Sequence, residues 1–180
     1  MKKLLIVVAS LFLSYSSFAS SVYFSPDAGV QDQIIKRINM TKNTIDVAVY
    51  SFTASNIAEA LVNATHRGVK VRVIRDASQS SDKNDENSYL ESNGILVGIR
   101  SGRGRGIMHD KFAIFDGKEC FTGSYNWTNN AEHYNWENAL FTDEGNVIQA
   151  YQREFEMLWK APAKPVRSKK PRVKSHHSTY

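Results

Sequence analysis

Two pairs of residues, each pair separated by one position, hold the reactive side chains of this sequence: His109 with Lys111, and Ser124 with Asn126. The apolar run Phe112-Ala113-Ile114-Phe115 predicts a buried strand, so His109 and Lys111 should leave the same face of a sheet. After a turn at Asp116-Gly117-Lys118, a second short strand over Cys120 to Thr122 leads to Gly123-Ser124-Tyr125-Asn126. An imidazole, a fixed cation, a hydroxyl and an amide then converge. Such a set can hold a phosphoryl group and attack it. Asp116 has the opposite strand parity from His109 and Lys111 and adjoins a glycine turn, a position that suits bracing the motif better than touching a substrate.

His-x-Lys, then an aspartate, then Gly-Ser-x-Asn resembles the signature of the phospholipase D superfamily, matched without a gap by His109, Lys111, Asp116, Gly123, Ser124 and Asn126. The rest of the chain is similar to one branch, the small bacterial Nuc-type endonucleases, at Phe24-Ser25-Pro26, at Ile45 to Thr53 and at Gly68 to Asp76. The likeness extends over about residues 22 to 160. It implies a phospholipase D-like fold in which Asp116 and Gly123 are structural. It also implies catalysis by His109, Lys111, Ser124 and Asn126, with Glu137 hydrogen-bonded to the active histidine and fixing its tautomer.

The superfamily reaction, as the resemblance implies it, uses two histidines, one as nucleophile and one as proton donor and acceptor. His66, His133, His176 and His177 lack a following x-Lys and cannot supply a second motif. A homodimer with its active site on the two-fold axis is therefore expected. Neither a metal nor another cofactor is expected, because lysines supply the positive charge.

The elements that must position these groups alternate strand with helix. Strands are expected at Val22 to Phe24, Ile45 to Tyr50, Val69 to Ile74 and Ile95 to Ile99. One helix opens near Pro26-Asp27 and carries Val30, Ile34, Ile35 and Ile38 at helical spacing. The next, capped by Thr53 or Ser55, carries Ile57, Ala58, Leu61 and Val62 and stops at Arg67-Gly68. A closing amphipathic helix runs from Val147 to Trp159 through Ala150, Tyr151, Phe155 and Leu158. This order predicts an α/β domain, one per chain, with a mostly parallel mixed sheet flanked by helices. No internal repeat interrupts it.

Residues 1–19 read as an export signal: Lys2 and Lys3, an apolar stretch from Leu4 to Leu13, and Ser17-Phe18-Ala19 as a cleavage site. That stretch is short of a membrane span. A periplasmic or secreted product without stable membrane insertion is expected, with residues 20–160 as the nuclease domain. Removing the signal leaves 161 residues, enough for one core. The single cysteine, Cys120, excludes an intramolecular disulfide and a cysteine-rich zinc site, and its apolar strand suits a buried inert thiol.

The net charge of +5 is unevenly placed. Residues 160–180 hold seven Lys or Arg and no acid, while residues 20–159 hold 14 basic and 18 acidic residues, net −4. The segment 161–180, with Pro162, Pro165 and Pro171, is expected to be a disordered basic tail, either a phosphate tether or a solvated terminus. Arg100 to Gly106 places three arginines among glycines just ahead of His109. A phosphate-gripping rim is expected there, with Arg103 and Arg105 as nucleic-acid contacts. Trp127 and Trp136 are expected in the core, as most large aromatics are.

The resemblance implies a low-specificity, metal-independent endonuclease that cuts DNA first and RNA second through a phosphohistidine, and the arginine loop and basic tail suit such a polyanion. A phospholipid phosphodiesterase is the first alternative, since the basic tail would also suit an anionic membrane. A non-catalytic nucleic-acid-binding module of the same fold is the second. The intact motif argues against the latter, and the lack of a strongly apolar docking segment argues against the former.

Overall fold

The computed structural model describes residues 19–80 and 85–163. The expected export signal and basic tail lie outside the described residues, apart from Ala19 and residues 161–163. Seven strands form one sheet: β1 (Ser20–Ser25), β2 (Thr44–Val49), β3 (Lys70–Asp76), β4 (Leu96–Arg100), β5 (Lys111–Phe115), β6 (Glu119–Gly123) and β7 (Glu137–Thr142), in the spatial order β1-β7-β6-β5-β2-β3-β4. Among the described residues five helices accompany them: α1 (Val30–Met40), α2 (Ser55–His66), α3 (Asn87–Ser92), α4 (Asn129–His133) and α5 (Gly145–Lys160).

The α/β class and the mixed, helix-flanked sheet agree with the sequence reading, but the share of parallel pairing does not. Only β2–β3 and β3–β4 are parallel. The β1–β7, β2–β5, β5–β6 and β6–β7 pairs are antiparallel. Helices α2 and α3 form the crossovers that join the parallel neighbours β2, β3 and β4, while α1 carries the chain from the β1 edge to β2 in the middle of the sheet. From β5 to β6 the chain turns back directly, through Asp116-Gly117 at φ 52° and 63°, and β6 reaches β7 through a connection that carries the short α4.

Helices α1 and α2 cover one face. There Ile34, Ile38, Ile57 and Leu61 meet Val47, Val71, Val73, Phe121 and Phe141 in one buried cluster. Helix α5 covers the other face, where Ile148 and Phe155, with Tyr151, Leu158 and Trp159, meet Ala48, Ile74, Phe112, Ile114 and Cys120. Full burial of Phe155 contributes about 2 kcal/mol. The apolar stripe of α5 keeps the expected Tyr151, Phe155 and Leu158 and takes in Ile148 and Trp159 in place of Val147 and Ala150. Cys120 is buried, and desolvation pushes its thiol up to about 12.

Two other details differ from expectation. Neither Thr53 nor Ser55 caps α2; Ala54 holds that position with no side-chain cap, and the backbone N–H groups of Thr53 and Ala54 donate instead to the Trp127 carbonyl. Trp127 is in the core, edge-on to Phe52, but Trp136 is 88 % exposed. It lies on the short connection from α4 to β7, where no helix covers it. Strand β7 and helix α4 had no clear sequence signal, because β7 opens on the polar Glu137-Asn138 and α4 spans little more than one turn.

Candidate active site

One end of the sheet collects every group singled out by its chemistry. The pairings bring the C-terminal ends of β2, β3 and β6 beside the N-terminal ends of β5 and β7. The C-terminal side of parallel strands is also where open α/β sheets receive ligands. The loop carrying Arg103 and Arg105 leaves β4 at this same end.

The approach to β5 is held by backbone bonds. Asp76, buried at the end of β3, accepts the Met108 N–H at 2.7 Å, and the Asp110 carbonyl accepts the Tyr50 N–H at 2.9 Å. His109 between them is exposed, with its ring edge-on to Tyr50 at 4.7 Å. Lys111 begins β5 opposite Val49 and is only 7 % exposed. Its ammonium donates to the His109 carbonyl at 2.7 Å and lies 5.2 Å from the Tyr50 ring centre. Desolvation draws the Lys111 pKa below that of an ordinary lysine, against the opposing pull of Asp110 and Glu137. Burial raises the Asp110 carboxyl, while Lys111 and His109 hold it down. Among the described residues no carboxylate is bonded to this ammonium, although Asp110 and Glu137 act on it at longer range.

The second pair sits beside it. Ser124 Oγ donates to Glu137 Oε2 at 2.5 Å and accepts from the Asn138 N–H at 3.1 Å, while Asn135 Nδ2 donates to Glu137 Oε1 at 3.0 Å. Asn126 Oδ1 accepts the Ser51 N–H at 3.2 Å, which ties this loop to the end of β2. Gly123 is required by close approach, since a Cβ there would stand 2.1 Å from the Asn138 carbonyl oxygen.

Asp116 lies at the opposite end of β5. Its carboxylate accepts three backbone N–H groups, from Lys42 at 2.9 Å, Asn43 at 2.6 Å and Thr44 at 3.0 Å. Burial pushes that carboxyl up, but the three bonds outweigh it and leave the pKa below the usual carboxylate value. Asp116 thus ties the turn before β2 to the end of β5.

The structure brings His109 and Lys111 together, and Ser124 with Glu137, around the end of β2. It makes no hydrogen bond between Glu137 and His109 within the chain; each Glu137 oxygen takes one donor, from Ser124 or Asn135, and keeps a lone pair for another. Arg103 and Arg105 are exposed. Arg100 is not part of that rim: it is buried, and its guanidinium caps α5 through the carbonyls of Leu158 and Trp159. The residues around the motif that sequence reasoning missed are Tyr50, Asp76 and Asp110. Tyr50 and Asp76 end strands that were recognised, and that position was the available signal. Among the described residues no group of three or more His, Cys, Asp or Glu side chains stands together as a metal site.

Residues 34–159 match the family described as "Cardiolipin synthase, PLD-like domain". The chain is 39 % identical over 118 residues to a mitochondrial cardiolipin hydrolase of Xenopus tropicalis, covering 66 % of this chain and 55 % of that one. It thus spans little more than half the length of that curated relative. Two solved structures are similar through nearly their whole lengths. NucT from Helicobacter pylori superposes with a TM-score of 0.75 at 29 % identity, covering 79 % of this chain and 96 % of that one. Nuc from Salmonella typhimurium, described as a phospholipase D family member, gives 0.76 at 28 % identity, covering 84 % and 100 %.

Proposed function

This chain belongs to the phospholipase D-like domain family, and from that premise we propose that it is a phosphodiesterase, acting as a metal-independent endonuclease of low sequence specificity on DNA or RNA. The observation that carries the reading is the desolvated Lys111 ammonium beside an exposed His109 imidazole, with Ser124 and Asn126 on the adjoining loop. An anion bearing non-bridging oxygens is what such a cation lacks.

The His109 imidazole attacks phosphorus, the bond from phosphorus to the leaving oxygen breaks, and a second histidine gives that oxygen its proton. The second imidazole then takes a proton from water, whose oxygen displaces His109 and releases a phosphomonoester. The second histidine comes from a second copy of this chain. Two features support that assembly. Glu137 makes no bond to its own His109, so the carboxylate that orients each imidazole can come from the opposing copy. Val22, Phe24 and Trp136 are exposed on and beside the β1–β7 pair, an apolar surface suited to an isologous contact.

Exposed Arg103 and Arg105 suit a polyanion tracked by its backbone. The leader-like residues 1–19 suit action in the periplasm or outside the cell, and among the described residues no helix is long and apolar enough to cross a membrane. A phospholipid phosphodiesterase is the second reading, favoured by the cardiolipin hydrolase relatives. One experiment separates the two. Protein with residues 1–19 removed is incubated with chelator and plasmid DNA, RNA or cardiolipin vesicles, beside His109→Ala, and its mass is measured in solution. Chelator-resistant cleavage of nucleic acid by a dimer is expected. Turnover of vesicles alone would transfer the assignment to lipid, and cleavage that needs a divalent ion would remove the proposed chemistry.

A further inference from the structure

Tyr50 belongs to neither half of the motif, yet it touches each residue of His109-Asp110-Lys111. It immediately follows β2. Its N–H donates to the Asp110 carbonyl at 2.9 Å. Its ring lies 4.7 Å from the His109 imidazole at an interplanar angle of 61°, and the Lys111 ammonium stands 5.2 Å from its centre. Its hydroxyl accepts from Gln79 Nε2 at 2.8 Å. Gln79 is itself anchored, since its N–H donates to the Asp76 carbonyl at 3.2 Å, and the Asp76 carboxylate holds the Met108 N–H. Both sides of His109 are therefore referred back to the ends of β2 and β3.

Among the described residues the His109 imidazole makes no hydrogen bond, and Tyr50 is its one ring contact. An exposed imidazole with no such neighbour would sample its rotamers freely. An edge-to-face ring pair favours one orientation several-fold. The same ring offers its face to an ammonium that has lost most of its water and has no carboxylate bound to it, where a cation–π contact is at its strongest.

We propose that Tyr50 is a positioning residue for the phosphodiester reaction: its ring orients the His109 imidazole and holds the Lys111 ammonium beside it, and Gln79 locks the ring through the hydroxyl. This rests on the phosphodiesterase reading above. Tyr50 need not touch substrate. It acts by keeping nucleophile and cation aimed at one phosphorus, so its loss should appear in kcat and leave KM nearly unchanged.

The test uses Tyr50→Leu, Tyr50→Phe, Gln79→Leu and the double variant Tyr50→Phe/Gln79→Leu, each with bis(4-nitrophenyl) phosphate and with plasmid DNA. The imidazole C–H resonances of His109 are read by NMR without substrate. Tyr50→Leu should lose about 10²-fold in kcat, the cost of a misplacement near 1 Å, with KM within about three-fold. Its His109 resonances should lose the ring-current shift. Tyr50→Phe and Gln79→Leu should each keep that shift and stay within about five-fold of wild-type kcat. The double variant should be no worse than either, because both remove one bond.

A folded Tyr50→Leu with wild-type kcat, or unmoved His109 resonances in that variant, would overturn the proposal. So would a Tyr50→Phe as impaired as Tyr50→Leu, which would assign the effect to the hydroxyl. If Tyr50→Leu does not fold, additive losses in the cycle formed by Tyr50→Phe and Gln79→Leu overturn the lock and non-additive ones uphold it. A wild-type chain that turns over neither of these substrates nor cardiolipin vesicles defeats the phosphodiesterase reading, and the imidazole shift then decides the role of Tyr50.

Discussion

The two ends of β5 bear opposite charges in opposite circumstances. At one end Asp116 is an anion whose oxygens take three backbone N–H groups. At the other, Lys111 is a cation buried to 7 % exposure that, among the described residues, has one carbonyl for a hydrogen-bond partner and no carboxylate bound. Burial opposes ionisation at both, yet the bonds win at Asp116 and desolvation wins at Lys111. A satisfied charge stabilises the fold it sits in, while a charge left short of partners is held ready for a ligand that brings them. The five-residue strand therefore joins a structural end to a functional one.

The sharpest way to break this contrast is at His109. His109→Ala should lower the cleavage rate by at least ~10⁴-fold, about 5.5 kcal/mol of barrier, while its melting temperature stays close to wild type, since the side chain is exposed and makes one ring contact. Near-normal cleavage by the folded variant would remove the nucleophile from the scheme.

Lys111→Met comes next. It should cost about 10²–10³-fold in rate, the scale for one stabilising donor at a developing anion. Stability should hold or rise, because a desolvated ammonium is replaced by an apolar chain of similar length. The sign with pH follows from the lowered pKa. Between the folded value and the ordinary one of about 10.4, the unfolded chain binds more protons than the native one. Wild-type stability should therefore gain on Lys111→Met as pH rises through that alkaline window. A variant that melts well below wild type at neutral pH would show that the lysine is a structural group after all.

How much of this was legible before the fold was known depends on the kind of contact. His109, Lys111, Ser124 and Asn126 were readable because strand parity places residues two apart on one face, and β5 has that geometry. The α1, α2 and α5 helices were readable from their apolar spacing. The antiparallel half was misjudged, because a short apolar run has the same appearance in either direction. Trp136 was placed in the core by composition, whereas exposure depends on whether a helix lies over the β1–β7 edge. Tyr50 and Asp76 act through contacts with a segment some 30 to 60 positions away along the chain, and neither spacing nor composition encodes those.

At the structural end, Asp116→Ala should cost about 2 kcal/mol at neutral pH, since three hydrogen bonds to a charged acceptor are lost at a partly exposed site. The replacement must also adopt φ 52°, which alanine resists more than asparagine does. Asp116→Asn should cost about half as much. A folded-state pKa below the unfolded value of about 3.9 means that the carboxylate stabilises above that pH, and that the contribution fades as pH falls through the folded value. The wild type and Asp116→Asn should therefore converge in acid. Cleavage per folded molecule should be little changed in either variant. A large loss of kcat with stability intact would reverse the contrast between the two ends.

The smallest effect belongs to the loop beyond β4. Arg103 and Arg105 are exposed, and their chain reversal is set by backbone bonds, Gly106 N–H to the Arg103 carbonyl at 2.8 Å and Gly102 N–H to the Gly106 carbonyl at 3.1 Å. Arg103→Gln/Arg105→Gln should leave folding alone and leave kcat on a small phosphodiester unchanged, because neither residue enters the buried half of the site. On DNA the pair should weaken binding without regard to sequence. If each arginine neutralises one phosphate, the slope of log affinity against log salt should shrink by about 2. An unchanged slope would mean that the loop touches no phosphate, and that the functional end of the sheet is confined to the buried lysine and its immediate neighbours.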